Sequence, residues 1–372
     1  MTGPGVLAGF RVGITADRRW DEQAALFERR GASIVHAPTI RTRPLGDEVA
    51  LRRVTEDLIS RPPAVWIANT GLGVRSWLSM ADSWGLGRPL EAALGRSRIY
   101  ARGPKASGAV RTAGLDVHVQ GRSERLREVV DCAMADAHAG DRIALQVDGS
   151  GNSDETERMR HLGMEVVLVP VYRWSPPADA APARQLAEST IAGRVDAVTF
   201  TAAASLRNWI DMCEADGRAD DLRRALTDGR TVVGCVGPVC ADAAASSGLL
   251  SPHLVQPDSY RLGPLVRAVA ERLAARRRPI QLGATTAVLS GTAVIIGDEC
   301  LSLTDTEARL LEVLAARPTA VLTKDALLRA VWGPGAVDTH AVEVGIARLR
   351  KRLGRHGEAV RVVHRRGYTL RS

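Results

Sequence analysis

Arg75-Ser76-Trp77-Leu78-Ser79-Met80 and Arg207-Asn208-Trp209-Ile210-Asp211-Met212 are two versions of one segment, 132 residues apart. The same offset sets Gly31 and Pro38 of RRGASIVHAP against Gly163 and Pro170 of HLGMEVVLVP. At an offset of 134 the echo continues, with Gly103-Pro104 through Gly114-Leu115 matching Gly237-Pro238 through Gly248-Leu249. Whatever environment the first copy needs, the second needs too. The period is far longer than the ~20–50 residues of a solenoid repeat, so the duplication predicts two similar units.

Each unit alternates short apolar runs with helical patterns. Arg11 to Ile14 precedes Asp21 to Arg30 and Ile34-Val35, Ala64 to Ala68 precedes Gly73 to Ala81, and Asp196 to Phe200 precedes Ala204 to Glu214. Strand, helix, strand in succession predicts an α/β fold of parallel sheets with helices on both faces. Both Gly-Pro pairs follow a strand (Arg98 to Ala101, Thr231 to Val236) and open a helix (Lys105 to Thr112, Val239 to Ser246). Proline suits a first helical turn because it has no N–H to leave unpaired, and the remaining free amides can hold an anion. Ligands of open α/β sheets bind outside the strand C-termini, where these turns fall, so two such turns point to a polyanionic ligand.

The 372 residues, 45% of them hydrophobic and 25% charged, leave room for two or three domains. The N-terminus has no charged start with a long apolar run, and no stretch approaches the ~18–20 apolar residues of a membrane span, so a cytoplasmic protein with no membrane partner is expected. Cys132, Cys213, Cys235, Cys240 and Cys300 lack CxxC or Cys/His ligand spacing, which predicts reduced thiols with no disulfide framework or zinc site.

The C-terminal stretch has a different chemistry. Val342, Ile346, Leu349 and Leu353 recur at helical spacing, while the line Ala341, Gly345, Arg348, Arg352 sets small residues among guanidinium groups. Arg361 to Leu370 reads as a β-hairpin with a cationic Arg365-Arg366-Gly367 tip. Residues 338–372 hold nine Lys/Arg and three Asp/Glu, a net of +6 in a chain of net +8, and nucleic acid is the natural counter-ion. Upstream, Thr304 to Glu307 forms a capping box, Thr323 caps a second helix ending near Trp332, and Thr286 to Leu289, Ala293 to Gly297 and Cys300 to Leu303 are β-like runs.

In their order, RVGITADRR, ANTGLGVRSWL, ARGPKASGAVRTAGL, VLVPVYRW, VDAVTFTAAASLRNWI and CVGPVCADAAASSGL resemble uroporphyrinogen-III synthase over roughly residues 8 to 274. That resemblance implies two α/β domains joined by a two-stranded connector, here His36 to Thr42 and Val169 to Trp174. It also implies a cleft that takes a linear tetrapyrrole with eight carboxylates and needs no metal or cofactor. The cleft residues would be Thr70, Gly71, Gly103, Pro104, Lys105, Tyr172, Thr201, Ala202, Gly237 and Pro238. Tyr172 matches the family's proposed acid. Ala106, Ala202, Val239 and Cys240 stand where the family usually carries a hydroxyl, which argues against an efficient synthase.

LTDTEARLLEVLA, LTKDALLRAVWG, VEVGIARLRKRLG and RRGYTL closely resemble an OmpR/PhoB-type winged-helix domain. Carried over by position, the groove-facing residues are His340, Ala341, Val344, Gly345, Arg348 and Arg350, with Lys351 at the flank. The hairpin supplies His364, Arg365, Arg366 and Tyr368. Arg365 replaces the family's usual glycine, and Gly345 replaces a larger polar residue. No acidic receiver precedes this domain, and the two-part build resembles the nitrate/nitrite-assimilation regulators of high-GC bacteria.

These readings predict one synthase-like domain from 1–38 and 175–275, a second inserted from 45–168, a linker at 276–283 and a winged-helix domain from 284–372. Promoter DNA is the expected partner, in two half-sites if a dimer binds. The cleft leaves room for a small-molecule effector or tetrapyrrole, and the surface for a co-regulator protein.

Overall fold

The computed structural model describes residues 3–44, 48–147, 154–249, 253–333, 335 and 338–371. It begins with β1 (Arg11–Ile14), α1 (Trp20–Glu28), β2 (Ser33–His36), β3 (Arg41–Pro44), α2 (Glu48–Ser60), β4 (Val65–Ala68), α3 (Gly71–Ser83), α4 (Gly87–Leu94), β5 (Arg98–Ala101), α5 (Pro104–Thr112) and β6 (Val119–Gln120). There follow α6 (Leu126–Asp136), β7 (Arg142–Val147), α7 (Asp154–His161), β8 (Glu165–Pro170), β9 (Tyr172–Ser175), α8 (Ala181–Ile191), β10 (Ala197–Phe200), α9 (Ala203–Ala215), α10 (Ala219–Thr227), β11 (Val232–Cys235), α11 (Pro238–Ser246), β12 (Leu254–Val255) and α12 (Leu262–Ala274). The C-terminal part adds β13 (Arg278–Leu282), β14 (Thr285–Ser290), β15 (Ala293–Ile296), β16 (Glu299–Ser302), α13 (Asp305–Ala315), α14 (Lys324–Trp332), α15 (His340–Arg352), β17 (Val360–Val363) and β18 (Gly367–Leu370). The chain divides into Met1–Thr39 with Asp179–Ser372, and Ile40–Ala178.

Each unit contains a five-stranded parallel sheet, ordered β12-β11-β10-β1-β2 in the first and β6-β5-β4-β7-β8 in the second. The duplication is visible strand by strand: β1 and β2 correspond to β7 and β8, and β10 with α9 to β4 with α3. The central strands VWIA, AVTF and VVGC are buried at every position, as a sheet covered on both faces requires. The repeated tryptophans explain why the Arg-x-Trp segment recurs. Trp77 and Trp209 are both fully buried, and each indole N–H is satisfied, by Thr55 Oγ1 at 2.9 Å and by the Ala183 carbonyl at 2.9 Å.

The expected crossing strands begin later than the sequence suggested. His36 still pairs with Ile14 inside β2, and Val169 with Gln146 inside β8, so their backbone groups are committed to the parallel sheets. The antiparallel ribbon is β3 with β9, which pairs Arg41 with Ser175 and Pro44 with Tyr172.

The winged-helix domain has its own apolar core, which includes Leu310, Leu314, Leu327, Val342, Ile346, Leu349 and Val360. Its four-stranded antiparallel platform runs β13-β14-β15-β16, and this corrects the expected linker. Residues 278–282 pair with β14 because Ile280 and Leu282 alternate inward between exposed Pro279 and Gln281, a period-two pattern hidden behind the arginine run. Pro279 is tolerated because β13 is an edge strand. Arg276 is bound to the Gly229 carbonyl at 2.9 Å and also to that of Arg230, so the three residues between α12 and β13 do not form a free tether.

Within its unit the winged-helix domain docks against the foot of the α/β sheet, at the strand N-termini. The Ser290 hydroxyl donates to the Ala8 carbonyl at 2.6 Å, while Thr292 donates to the Gly9 carbonyl from its amide at 2.8 Å and its hydroxyl at 2.9 Å. Arg309 reaches the Ala192 carbonyl at 2.5 Å, and Arg11 lies 3.5 Å from Asp305. Asp196 sits beside this junction and accepts the Arg11 amide at 2.7 Å. Burial, with a smaller push from Asp305, raises its carboxyl to about 6, against the pull of the Arg11 amide, Arg276 and Arg11. The folded state therefore binds this proton more tightly than the unfolded state, so its stabilising effect is complete below pH ~4 and is lost as pH rises through ~6. Asp196→Asn, which keeps an acceptor for the Arg11 amide, should raise stability by roughly 1 to 3 kcal/mol at pH 8 and change it little at pH 4. Urea midpoints at the two pH values measure this.

Candidate nucleic-acid interface and ligand-site residues

α15 sorts its residues into an inner and an outer face. Val342, Ile346 and Leu349 are buried, while His340, Ala347, Arg348, Arg350 and Lys351 are exposed and Val344 is half-buried. On a wheel of ~100° per residue, His340, Val344, Ala347, Arg348 and Lys351 form one outward ridge. Ala347 joins this ridge although it is not among the groove-facing residues expected from the sequence; its spacing of three from Arg350 and four from Lys351 is the signal that places it there. Arg350 lies on the far flank. Ala341 packs partly against the core, and Gly345 is buried: a Cβ there would lie 2.7 Å from Leu310 Cδ1. Neither faces a groove, because the line they share with Arg348 turns inward at the α13 contact.

Among the described residues Arg348, Arg350 and Lys351 form no ion pair, whereas Arg352 lies 3.7 Å from Glu307 of the capping box. Glu343 is engaged by Lys324 and, at 3.3 Å, by His340, and the hydrogen bond from Lys324, followed by that from His340, holds its carboxylate below the usual range. The outward ridge therefore keeps two uncommitted cations, Arg348 and Lys351, beside a histidine tied to its own helix.

The hairpin tip His364-Arg365-Arg366 is exposed. Arg365 adopts φ 56°, the left-handed conformation that explains the family's glycine at this position. Tyr368, expected to contact DNA, is buried in the domain core, since it lies on the inner face of β18 with Leu370. Its amide and carbonyl are bonded to Leu322 at 2.9 and 2.8 Å, which pins the wing to the loop before α14.

In Ile40–Ala178, Thr70 caps α3 by accepting the Gly73 amide at 3.1 Å. The same hydroxyl oxygen faces Gln146 Nε2 at 3.1 Å and the Tyr172 hydroxyl at 3.3 Å. Asn69 receives Arg102 Nη1 at 2.8 Å and its amide donates to Gln146 Oε1 at 3.2 Å. Asn69, Gln146 and Tyr172 are buried. The phenol is thus built into a packed polar cluster, with the Gly73 amide, Gln146 Nε2 and the Tyr172 hydroxyl all within hydrogen-bond distance of the Thr70 oxygen. Gly71 is fixed by close approach: a Cβ would meet the Lys105 carbonyl at 2.2 Å.

Both Gly-Pro turns open helices as expected, and in each a side chain of the same unit packs against the glycine. A Cβ on Gly103 would lie 2.7 Å from Glu124 Cγ and 3.1 Å from its carboxyl carbon, so the chain's own carboxylate group approaches the start of α5. In the other unit a Cβ on Gly237 would lie 3.1 Å from the Tyr260 ring. Both glycines have an extended backbone, φ −173°, so the space taken by these neighbours, rather than a special conformation, demands glycine. Thr201 and Ala202 precede α9, where Ala202 provides no side-chain cap. Beside α9 in that unit lies a buried hydroxyl cluster: Thr15 Oγ1 is 2.7 Å from Ser205 Oγ, and Thr39 Oγ1 2.9 Å from it.

Residues 21–267 match the family described as uroporphyrinogen-III synthase HemD. The chain belongs to that family. Residues 297–370 of this HemD-family chain also match the family described as transcriptional regulatory protein, C terminal, so a synthase-like module is fused to an OmpR/PhoB-type DNA-binding domain. A mutant uroporphyrinogen III synthase structure from the extremely thermophilic bacterium Thermus thermophilus is 27% identical and superposes with a TM-score of 0.59 over 72% of this chain and 100% of that one. Protein YjjA of Bacillus subtilis (strain 168) is 25% identical over 270 residues, 71% of this chain and 96% of its own. Response regulator MprA of Mycobacterium tuberculosis is 29% identical over 182 residues, 48% of this chain and 79% of that protein. Among the described residues of the HemD-family chain, no helix is long and apolar enough to cross a membrane.

Proposed function

We propose that this HemD-family chain is a DNA-binding transcriptional regulator of nitrate or nitrite assimilation genes, with the synthase-like module serving as its sensor or partner-binding domain. The observation that carries the regulator reading is the outward ridge of α15, where Arg348 and Lys351 stand exposed and form no ion pair among the described residues. Arginine on such a ridge can address guanine edges, and the wing tip can address the backbone. The nitrogen assignment rests on the resemblance of the two-part build, and dimeric binding to paired half-sites follows from how such domains reach useful affinity. A cytoplasmic location is part of the same reading. Mapping bound genomic sites with and without nitrite tests it: enrichment beside nitrogen-assimilation genes is expected, and enrichment elsewhere removes the nitrogen assignment.

Arg365→Ala separates positioning from reading. Both residues carry a Cβ in the left-handed turn, so the change removes charge without altering the backbone cost. The slope of log affinity against log salt should become shallower by about 1, with sequence preference retained. Titrations at several salt concentrations measure both quantities.

The second reading, a synthase that also carries a DNA-binding domain, is favoured by the retained Tyr172–Thr70 pair. Its signature is formation of the cyclised uroporphyrinogen III isomer that disappears in Tyr172→Phe. The absence of a hydroxyl at Ala202, together with the Glu124 and Tyr260 side chains beside the two Gly-Pro turns, supports the regulator over the synthase.

A further inference from the structure

The β3–β9 ribbon has a chemistry that neither α/β module nor winged helix uses. Its register places Arg43 directly opposite Arg173, and Arg41 opposite Ser175, on one face. Arg41, Arg43 and Arg173 are all exposed. Tyr172 is buried and Trp174 half-buried against the core on the other face, which fixes the ribbon's orientation. Directly opposed residues have Cβ atoms about 5 Å apart, and Arg41 lies about 7 Å along the strand from Arg43. Like charges opposed in this way destabilise a strand pair. Among the described residues none of the three guanidinium groups forms an ion pair, and the residues of RTRP and YRWS include no acid. Among the described residues no acid supplies a counter-charge to these three cations.

We propose that this three-arginine face is a second electrostatic contact for the phosphate backbone of the DNA that the winged helix reads. The inference rests on the regulator reading. An open face of long cationic side chains fits an extended polyanion, whereas a small ligand needs a concave site that buries it. DNA is favoured over an acidic protein because the winged helix already holds it, and a tethered second contact benefits from a high local concentration.

The test uses the full chain. A short duplex is selected from a random library by the unmutated protein, and a long duplex carries the same core with ~20 bp of unrelated sequence on each side. For Arg41→Gln/Arg43→Gln/Arg173→Gln, the salt slope on the long duplex should become shallower by about 2 to 3, and the corresponding triple lysine variant should restore it. An unchanged slope on the long duplex, a lysine variant that fails to restore it, or ribbon-dependent binding of polyglutamate in preference to duplex overturns the proposal. Failure of the regulator reading looks different, since the unmutated protein then enriches no duplex at all.

Discussion

Replacing Arg348 with alanine is expected to weaken specific DNA binding by about 1 to 3 kcal/mol, roughly five- to 150-fold, and to relax sequence preference at one base pair. The side chain is exposed and has no ion-pair partner among the described residues, so its removal leaves the fold intact. Its place on the outward ridge with Val344 and Lys351 gives it a direct approach to base edges. Arg350 provides the contrast: on the flank of the helix, its loss should lower the salt slope by about 1 without changing preference. Competition titrations against selected and scrambled duplexes separate the two effects. Equal loss on both duplexes for Arg348→Ala would assign that residue to the backbone and remove it from base reading.

Gly9→Val should be strongly destabilising. Gly9 has φ +86°, and a Cβ there would fall 2.1 Å from the Ser290 carbonyl oxygen and 2.6 Å from the Ala293 amide nitrogen. Both obstacles are backbone atoms of the platform, so a rotamer change cannot relieve the clash. The left-handed conformation costs a branched residue about 1 to 2 kcal/mol, and the three Ser290 and Thr292 hydrogen bonds contribute about 1 kcal/mol each. The expected loss is roughly 3 to 5 kcal/mol. It should appear in calorimetry as separation of winged-helix melting from that of the adjoining α/β domain. Ser290→Ala removes a single bond to the Ala8 carbonyl and should shift the transition in the same direction by about 1 kcal/mol. A Gly9→Val protein that melts like the unmutated chain would show that the junction contributes nothing to stability.

This junction also bears on how a signal could reach DNA. The winged-helix domain meets the α/β sheet of its unit at the strand N-termini, whereas the Thr201-Ala202 and Gly237-Pro238 turns lie beyond the strand C-termini. An effector at those turns would act through the length of the sheet rather than through direct contact with the reading helix.

The sequence alone determined the two parallel α/β sheets, the capping box at Thr304, the apolar seam Val342-Ile346-Leu349-Leu353 and the basic wing. Each of these is a local pattern, in which period, cap or repeated segment states what the backbone must do. Tertiary structure alone decided which residues of α15 face outward. Ala341 and Gly345 share a helical line with Arg348, and packing against the domain core, at Leu310 and Trp332 for Gly345, turned them inward. It buried Tyr368, because burial depends on what lies beneath a strand as well as on its alternation. It also brought Glu124 to Gly103 and Tyr260 to Gly237, neighbours about 20 residues away in the chain whose approach no spacing rule encodes. The linker became a strand for the same reason: β13 needs β14 to complete its hydrogen bonds, and pairing belongs to two segments at once.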